Sequence, residues 1–271
     1  RANGNIIRYI SDNYPAPKTF KDTLYASHVL QADAIKLAIE AHRRNKGFCW
    51  GSLYWQLGNC WPVSSDSSID YEGNWKGLHY IVKKAFEDRL VSGYIHNDTL
   101  DVYLVTDRLK PENGVLDVEV TGFDGKSYSR KSMKVSVPAN ASTMVYQTRL
   151  EDILEGADPG ASYVRLTYTD GEGVKHSNLR FFRNQKELDF LRPEIKYDVA
   201  DNGDYKEVTV VSDVFARAVY LSVSDSALLH FSDNFFDLHP GQPYTVRVRT
   251  DIPAVELKSR LSARTINSFL Y

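Results

Sequence analysis

The sequence predicts an α/β segment followed by two all-β units, and three observations lead to this fold class. Residues 21–46 carry apolar side chains at helical spacing, without proline or glycine. Residues 48–57 are then expected to form a strand, which a loop joins to a second helix. From about residue 89, short segments alternate apolar and polar residues between turn signals. The first pattern is typical of an α/β barrel or a wound sheet, and the last is typical of β-sandwiches.

The composition is that of an ordinary globular protein and excludes several classes. Of the 271 residues, 42% are hydrophobic and 25% are charged, which provides ample material for buried cores. The net charge of −2 gives no basic field for nucleic acid or an anionic membrane. No apolar run approaches the roughly 20 residues of a membrane span. Two cysteines do not form a disulfide framework, so the redox compartment is undetermined.

The first 88 residues contain the helical part of the chain. The run 6–10 fits either a short helix or a strand, and both interpretations stay open. The helix over 21–46 has basic residues in its last turn and Gly47 just beyond it, as the helix dipole and the C-cap preference favour. A loop over 58–74 and a second helix over 76–88, with mixed apolar and charged positions, complete this part.

The remainder divides into two β units of similar size. In the first, Asp124-Gly125 and Asp170-Gly171 supply turn signals, and in the second Asn202-Gly203 and Pro240-Gly241 do so. Strands are expected near residues 101–106, 116–120, 133–137, 143–147 and 164–168, then near 195–199, 206–211, 218–224, 244–249 and 254–262. We expect domain boundaries at 1–88, 89–186 and 187–271, with a connector over 184–193.

One window concentrates the unusual residue types. Residues 47–80, here called the aromatic window, contain all four tryptophans and both cysteines of the chain. Aromatic faces stack on the apolar face of a pyranose, while amides and carboxylates bond to its hydroxyls. Residue types alone leave two interpretations open, a sugar-binding surface and a tryptophan-rich core strand with its turn.

The aromatic window resembles the end of the catalytic barrel of glycoside hydrolase family 2, in its β-mannosidase branch. Residues 51–62, Gly-Ser-Leu-Tyr-Trp-Gln-Leu-Gly-Asn-Cys-Trp-Pro, resemble the signature of that branch. Residues 67–71 and 75–80 resemble the segments that follow it, and residues 25–32 resemble the preceding helix. In the last β unit, residues 231–241 resemble the same branch. The resemblance covers nearly the whole chain, but between 80 and 229 only at the level of fold.

This resemblance implies that residues 1–88 are the last part of a (β/α)8 barrel and that two immunoglobulin-like β-sandwiches follow. The strand over 48–57 would be the eighth barrel strand, and active sites of such barrels lie at the C-terminal ends of the strands. Strand alternation would turn one set of side chains towards the barrel and the other towards the helices. The barrel-facing set would be Cys49, Gly51, Leu53 and Trp55, and the helix-facing set Trp50, Ser52 and Tyr54.

The resemblance also implies the site residues. Trp55 would be the platform for a terminal mannose, with Gln56 beside it at the strand end. Asn59 would either bond a sugar hydroxyl or structure the loop, and Trp61 would either line the rim of the pocket or pack. The family has Asn-Asp where this chain has Gly58 and Asn59, which puts sugar contacts and substrate preference in doubt. A tryptophan usual in the next turn is Asp66 here.

The catalytic residues implied by the resemblance are two glutamates on earlier barrel strands, and neither motif is present in this sequence. A retaining glycosidase needs two carboxyl groups about 5–5.5 Å apart. Asp70 and Glu72 are near each other in sequence, but the resemblance places them in a structural loop. We therefore expect no catalytic residue in this chain, which would be the inactive C-terminal piece of a longer enzyme. The exposed face of its lone strand would need cover from another surface.

The predicted function is that of part of a retaining, exo-acting β-mannosidase that removes terminal β-D-mannose from glycans or mannan oligosaccharides. Its partners would be the carbohydrate substrate and the remainder of the same polypeptide, without nucleic acid or a membrane span. The alternatives are another family 2 glycosidase, acting on β-galactosides or β-glucosaminides, and a non-catalytic carbohydrate-binding module. A periplasmic, extracellular or lysosomal location is favoured over a cytoplasmic one.

We expect no cofactor and no metal. Asp233, Asn234 and Asp237 carry oxygens at short spacing, but the spacing is not that of a calcium loop. Cys49 and Cys60 are interpreted as free thiols rather than as a metal pair or a disulfide.

Overall fold

The computed structural model describes residues 2–63, 65–224 and 229–271. The helices are α1 (Ala2–Asn13), α2 (Phe20–Arg44), α3 (Gly77–Ala85), α4 (Leu150–Leu154) and α5 (Ala254–Arg260). The strands are β1 (Arg89–His96), β2 (Thr99–Thr106), β3 (Glu112–Gly122), β4 (Ser127–Val137), β5 (Ser142–Arg149), β6 (Ser162–Asp170), β7 (Lys175–Phe181), β8 (Ile195–Asn202), β9 (Tyr205–Ser212), β10 (Ala216–Val223), β11 (Phe236–Leu238), β12 (Tyr244–Val248) and β13 (Leu261–Arg264). Short 3-10 helices lie at Gln185–Glu187 and Ile266–Leu270.

Two predicted helices are confirmed as α2 and α3, and the undecided run 6–10 lies inside helix α1. A reciprocal capping box starts α2: the Asp22 N–H donates to the Thr19 hydroxyl, and the Thr19 N–H donates to the Asp22 carboxylate, both at 3.1 Å. Just beyond the C-terminal end of this helix, Gly47 has φ of 104°, a conformation that glycine adopts without steric cost.

The strand predicted over residues 48–57 is wrong. The chain is irregular there, and an isolated bridge between Gly58 and Ile69 lies just beyond it. A strand is stabilised by ladder hydrogen bonds to a neighbour. Among the described residues, none of the named strands pairs with residues 48–57. Alternation in sequence therefore does not produce a sheet in this segment, and the barrel part of the predicted fold is not confirmed.

The first compact unit comprises Ile35–Leu53 and Lys83–Asp189, and it contains the first sandwich. Residues 89–181, all of which are described, hold seven strands in two antiparallel sheets, with orders β1-β2-β5 and β4-β3-β6-β7. Alternate residues of these strands point inwards and form one apolar core. Its buried members include Val91, Leu100, Val102, Leu104, Leu116, Val118, Val120, Val164 and Leu166.

Turn chemistry sets the strand register of this unit. Asn97 and Asp98, which join β1 to β2, both have positive φ, as a two-residue hairpin turn requires. His96 consequently pairs with Thr99. The turn signal Asp124-Gly125 is confirmed between β3 and β4, where Gly125 has φ of 89°.

The second compact unit comprises Arg1–Ala34, Tyr54–Val82 and Phe190–Tyr271. Its β part has sheet orders β12-β9-β8 and β11-β10-β13 among the described residues. The core of this β part includes Val208, Val210, Val219, Leu221, Phe231, Phe236, Leu238, Val246, Val248 and Leu257. The turn signal at Asn202-Gly203 is confirmed between β8 and β9.

The strand predicted over residues 254–262 is largely wrong. Residues 254–260 form helix α5, and only Leu261–Arg264 pair as strand β13. The Leu257 N–H donates to the Pro253 carbonyl at 2.8 Å, which closes the first helical turn. Leu257 is fully buried in the sandwich core. This single buried contact, combined with good helix formers on either side, favours a helix over the extended chain.

No helix in the described parts of the chain combines the length and apolar character needed to cross a membrane. The two β units fit immunoglobulin-like sandwiches in strand number and antiparallel pairing. The domain boundaries at 88 and 186 stay predictions.

Candidate functional site

The first part of the aromatic window, residues 48–63, follows helix α2 and contains no buried residue. The Leu53 side chain is fully exposed and the Trp55 side chain is 77% exposed. Ser52, with its hydroxyl 2.9 Å from Nδ1 of His42, lies against α2 as the predicted alternation requires. Trp50, predicted to face the helices as well, is instead exposed. Large apolar side chains in water are costly, so this segment offers a surface for contact with another molecule or chain segment.

Trp55 and Gln56 lie together in this segment, and the peptide bond between them is cis. Trp55 presents its indole to solvent, while Gln56 is partly buried. The Gln56 carbonyl accepts a hydrogen bond from the Ser68 N–H at 2.9 Å. An exposed indole with an amide next to it can stack on a sugar ring and bond to its hydroxyls.

Ser68, which is fully buried, fixes this segment through its hydroxyl as well. The hydroxyl donates to the Leu57 carbonyl at 3.1 Å. It also lies 3.0 Å from the Tyr54 hydroxyl and 3.2 Å from Nδ1 of His79. The segment from Tyr54 to Leu57 is therefore held by hydrogen bonds from one loop rather than by a β-ladder. Sequence reasoning missed Ser68, because a serine in a turn-rich loop carries no signal that distinguishes it from its neighbours.

The loop that carries Ser68 is itself anchored from two sides. The Lys76 ammonium donates to the Ser65 carbonyl at 3.1 Å and to the Ser67 hydroxyl at 3.0 Å. Burial lowers the pKa of Lys76, and nearby carboxylates oppose that shift. On the other side, Gln31 on α2 donates to the Asp66 carbonyl at 2.7 Å. This loop is consequently a defined support for the segment that it bonds.

Asn59 uses both ends of its side-chain amide inside the loop. Its Nδ2 donates to the Val63 carbonyl at 3.3 Å, and its Oδ1 accepts from the Ser65 hydroxyl. These bonds favour the loop-structuring interpretation of Asn59 over a free ligand for a sugar hydroxyl. Trp61 is 72% exposed, which favours the rim of a pocket over packing.

Asp70 and Glu72 belong to a turn, and the Asp70 carboxylate organises that turn instead of facing Glu72 as a catalytic pair would. The Asp70 carboxylate accepts hydrogen bonds from the Glu72 N–H at 2.9 Å, from the Asn74 N–H at 2.8 Å and from the Asn74 side chain at 3.0 Å. A carboxylate that accepts several backbone N–H groups is a typical turn organiser. Glu72 is exposed.

Trp75, the fourth tryptophan, has a different environment from the other three. Its ring lies 4.3 Å from the His79 ring and 4.9 Å from the His230 ring, centroid to centroid, and 5.4 Å from that of Tyr80. The His230 imidazole is also within 3.0 Å of the Gly73 carbonyl. Trp75 therefore has a packing role, and of the four tryptophans only Trp50, Trp55 and Trp61 present most of their surface to solvent.

The side chains considered for calcium have protein partners. Asp237 accepts from Arg217 and from the Ala218 N–H, both at 2.8 Å. Asn234 bonds the Leu221 backbone, and Asp233 accepts from the Tyr244 hydroxyl at 2.5 Å. Across the described residues, no group of three or more His, Cys, Asp or Glu side chains is placed to hold a metal ion.

Two family profiles match this chain. Residues 98–187 match the family described as the mannosidase Ig/CBM-like domain, and residues 190–269 match an Ig-fold domain whose profile is named for mannosidase. Together the two profiles cover more than half of the chain. They confirm the immunoglobulin-like character expected for both β units.

Relatives and solved structures extend the likeness to the aromatic window. A β-mannosidase of Capra hircus is 30% identical over an alignment of 255 positions, and the match covers 86% of this chain and 29% of that protein. The crystal structure of a β-D-mannosidase from Dictyoglomus thermophilum is 29% identical, with a TM-score of 0.86 over 97% of this chain and 32% of that one. The chain thus spans less than a third of either relative. An exo-chitosanase of Amycolatopsis orientalis, with 17% identity and a TM-score of 0.69 over 96% of this chain and 35% of its own, shares the fold.

Proposed function

Because the chain belongs to the β-mannosidases of glycoside hydrolase family 2, we propose that it forms the C-terminal part of a retaining, exo-acting β-mannosidase. Such an enzyme releases terminal β-D-mannose from glycans or mannan oligosaccharides. The observation that carries the proposal is the extent of the likeness. The match to β-mannosidases covers 86% and 97% of this chain, so it includes the aromatic window as well as the β units.

In the proposed enzyme the aromatic window supplies sugar contacts and the reacting carboxylates come from elsewhere. Trp55 is the platform for the terminal mannose, Gln56 bonds a hydroxyl and Trp61 lines the rim. Asn59 contributes by holding the loop. Catalysis proceeds in two displacements through a covalent mannosyl intermediate, with one carboxylate as nucleophile and another as acid and base. Asp70, which is occupied by its turn, has neither role.

The exposed apolar surface supports a longer polypeptide around this chain. A complete (β/α)8 barrel takes about 250 residues, far more than the helical part contains. Phe48 and Leu53 are exposed in this structure, as expected for side chains that contact further barrel elements in the complete enzyme. The 271-residue chain is therefore inactive by itself.

Substrate preference tests the proposal against other family 2 activities. The exo-chitosanase is only 17% identical to this chain, whereas the β-D-mannosidase is 29% identical. The comparisons therefore favour a β-mannoside over a β-glucosaminide as the substrate. We expect the full-length protein to have a higher kcat/KM on an aryl β-mannoside than on the matching β-galactoside and β-glucosaminide. The expected ratio is roughly tenfold or more, since one unpaired hydrogen-bonding group costs about 1–3 kcal/mol.

Two results would contradict this. A preference for either of the other two substrates would indicate the alternative family 2 activity. Binding of mannan oligosaccharides without hydrolysis of any of the three substrates would indicate a non-catalytic carbohydrate-binding module. Loss of activity in a Trp55→Ala variant, with Tyr205→Ala as the control at an exposed aromatic residue of the last β unit, would locate the sugar platform.

A further inference from the structure

The hydrogen bonds of Ser68 bracket Trp55 along the chain. On one side of Trp55, the Tyr54 hydroxyl is bonded to the Ser68 hydroxyl. On the other side, the Gln56 and Leu57 carbonyls accept from the Ser68 N–H and hydroxyl. Ser68 thus bonds the Tyr54 side chain before the exposed indole and two backbone carbonyls after it, where the Leu57 carbonyl also accepts from the Ile69 N–H at 2.8 Å.

The chemistry of the hydroxyl assigns each proton in this network. A serine hydroxyl has one proton to donate and two lone pairs with which to accept. The Leu57 carbonyl can only accept, so the Ser68 proton points to it. With the Ser68 proton directed to this carbonyl, the Ser68 oxygen can accept from the Tyr54 hydroxyl and from the N–H form of Nδ1 of His79. The hydrogen-bonding capacity of the Ser68 hydroxyl is fully used.

Helix α3 anchors the same residue. The Lys76 N–H, just before this helix, donates to the Ser68 carbonyl at 2.9 Å. The His79 ring, which bonds to the Ser68 hydroxyl, is in contact with Trp75. Ser68 therefore links helix α3 to the exposed segment by hydrogen bonds. Such a link holds the segment in place relative to a rigid element, as precise binding sites require.

The Trp55 ring has no comparable support of its own. It is 77% exposed, and no aromatic ring or cation contacts it among the described residues. The position of its Cβ, from which the indole projects, is therefore set by its backbone, and the carbonyls that follow it are held by Ser68 and by the Ile69 N–H. A platform that stacks on a sugar loses affinity when its orientation is free, because the ordering entropy must then be supplied on binding.

We infer that Ser68, together with the Tyr54 hydroxyl, is a positioning residue for sugar recognition that acts by fixing the orientation of Trp55. The inference rests on the proposed function, in which Trp55 is the platform for a terminal mannose. Neither Ser68 nor Tyr54 touches the sugar in this account. Their role is exerted through the backbone of residues 54–57.

The test uses the full-length protein and five variants, one of which is the Trp55→Ala variant of the proposed function. Tyr54→Phe removes one hydrogen bond of the network with the smallest change in shape, and Ser68→Ala removes three. Ser68→Thr keeps the hydroxyl. The matched control is Tyr197→Phe, which removes a hydrogen bond to the Leu261 carbonyl at 2.7 Å in the sandwich of the same compact unit.

For Tyr54→Phe and Ser68→Ala we expect KM for an aryl β-mannoside and the inhibition constant of D-mannose to rise by about two- to tenfold, the range of one hydrogen bond. Ser68→Thr restores part of the loss. Tyr197→Phe lowers the thermal midpoint but changes neither constant. Tyr54→Phe keeps the test valid if Ser68→Ala does not fold.

The comparison with Trp55→Ala separates the inference from the proposed function. If Trp55→Ala raises both constants but Tyr54→Phe and a folded Ser68→Ala do not, the positioning role is wrong and the mannose platform stands. If Trp55→Ala leaves both constants unchanged, the platform is wrong and the positioning role falls with it. If Tyr54→Phe or Ser68→Ala lowers the thermal midpoint but changes neither KM nor the inhibition constant, as expected for the Tyr197→Phe control, the inference is likewise wrong.

Discussion

The His28 imidazole shows how a single residue can make stability depend on pH. It lies on α2, with its ring centroid 6.2 Å from that of Phe235. Burial lowers its pKa, and the positive charge of Lys76 lowers it further, to about 4 from the ordinary value of 6.5. The folded protein therefore favours the neutral ring. The unfolded chain binds more protons than the folded one between these two pH values.

Stability should consequently fall as the pH drops from 6.5 towards 4, and it should be insensitive to His28 above 6.5. Urea denaturation midpoints across this range measure the effect. In a His28→Gln variant the slope of midpoint against pH should decrease, whatever the absolute stability of the variant. The exposed residue His42, changed to Gln, serves as control. Equal slopes in His28→Gln and in the unchanged protein would show that His28 does not titrate with folding.

The candidate site shows what residue types alone can predict. Residue types alone left a sugar-binding surface and a tryptophan-rich core open. Through the family resemblance the sequence predicted Trp55, Gln56, Asn59 and Trp61 as site residues, and these assignments stay predictions. The sequence did not identify Ser68, because a buried hydroxyl becomes informative only when its partners are known. For Asn59, both interpretations fitted the residue type, and the two bonds of its amide inside the loop distinguish between them.

At the scale of elements, a buried charge network joins helix α2 to strands of the first sandwich. The Glu40 carboxylate, which is fully buried, bonds Arg180 and accepts from the Ser92 hydroxyl at 2.7 Å and from Asn178 at 2.9 Å. Burial would raise the pKa of Glu40. The charges of Arg180 and Lys36 and the two hydrogen bonds outweigh that effect and lower it to about 2. The stabilisation is thus present above pH 4.5 and is lost as the pH falls towards 2.

Glu40→Gln should destabilise the first sandwich unit by about 3 kcal/mol, because it removes the buried carboxylate charge that compensates the partly buried Arg180 and Lys36. Glu151→Gln is the matched control, since Glu151 pairs with Arg149 at the surface. It should change the free energy of unfolding by less than about 1 kcal/mol. Chemical denaturation of both variants at neutral pH measures the difference. Equal effects would mean that the Glu40 network contributes no more than a surface ion pair.

The elements also show where sequence patterns fail. Residues 48–57 have the composition of a strand, but a strand exists only with a neighbour to pair with. Residues 254–260 were expected to be extended, yet burial of Leu257 favours a helix. The turns at Asp124-Gly125 and Asn202-Gly203 could be predicted, because glycine with asparagine or aspartate specifies turn backbone locally, whereas the turn at Asn97-Asp98 has no glycine and was not predicted. The pairing of strands that are distant in sequence cannot be predicted from local residue patterns.

At the scale of the whole molecule, the β units and the aromatic window differ in how complete they are. Each β unit contains its own buried core. The aromatic window exposes large apolar side chains, and its acids at residues 70 and 72 lie in a turn. In the proposed enzyme, the first two thirds of the polypeptide supply both the catalytic carboxylates and the cover for this surface.

The measurement that tests this account most directly is hydrolysis of an aryl β-mannoside by the 271-residue chain, beside the full-length protein at equal concentration. We predict hydrolysis by the full-length protein and none above background by the chain alone, although the chain is folded. Hydrolysis by the chain alone, lost in Asp70→Asn or Glu72→Gln, would contradict the account and show that the catalytic pair lies within the aromatic window.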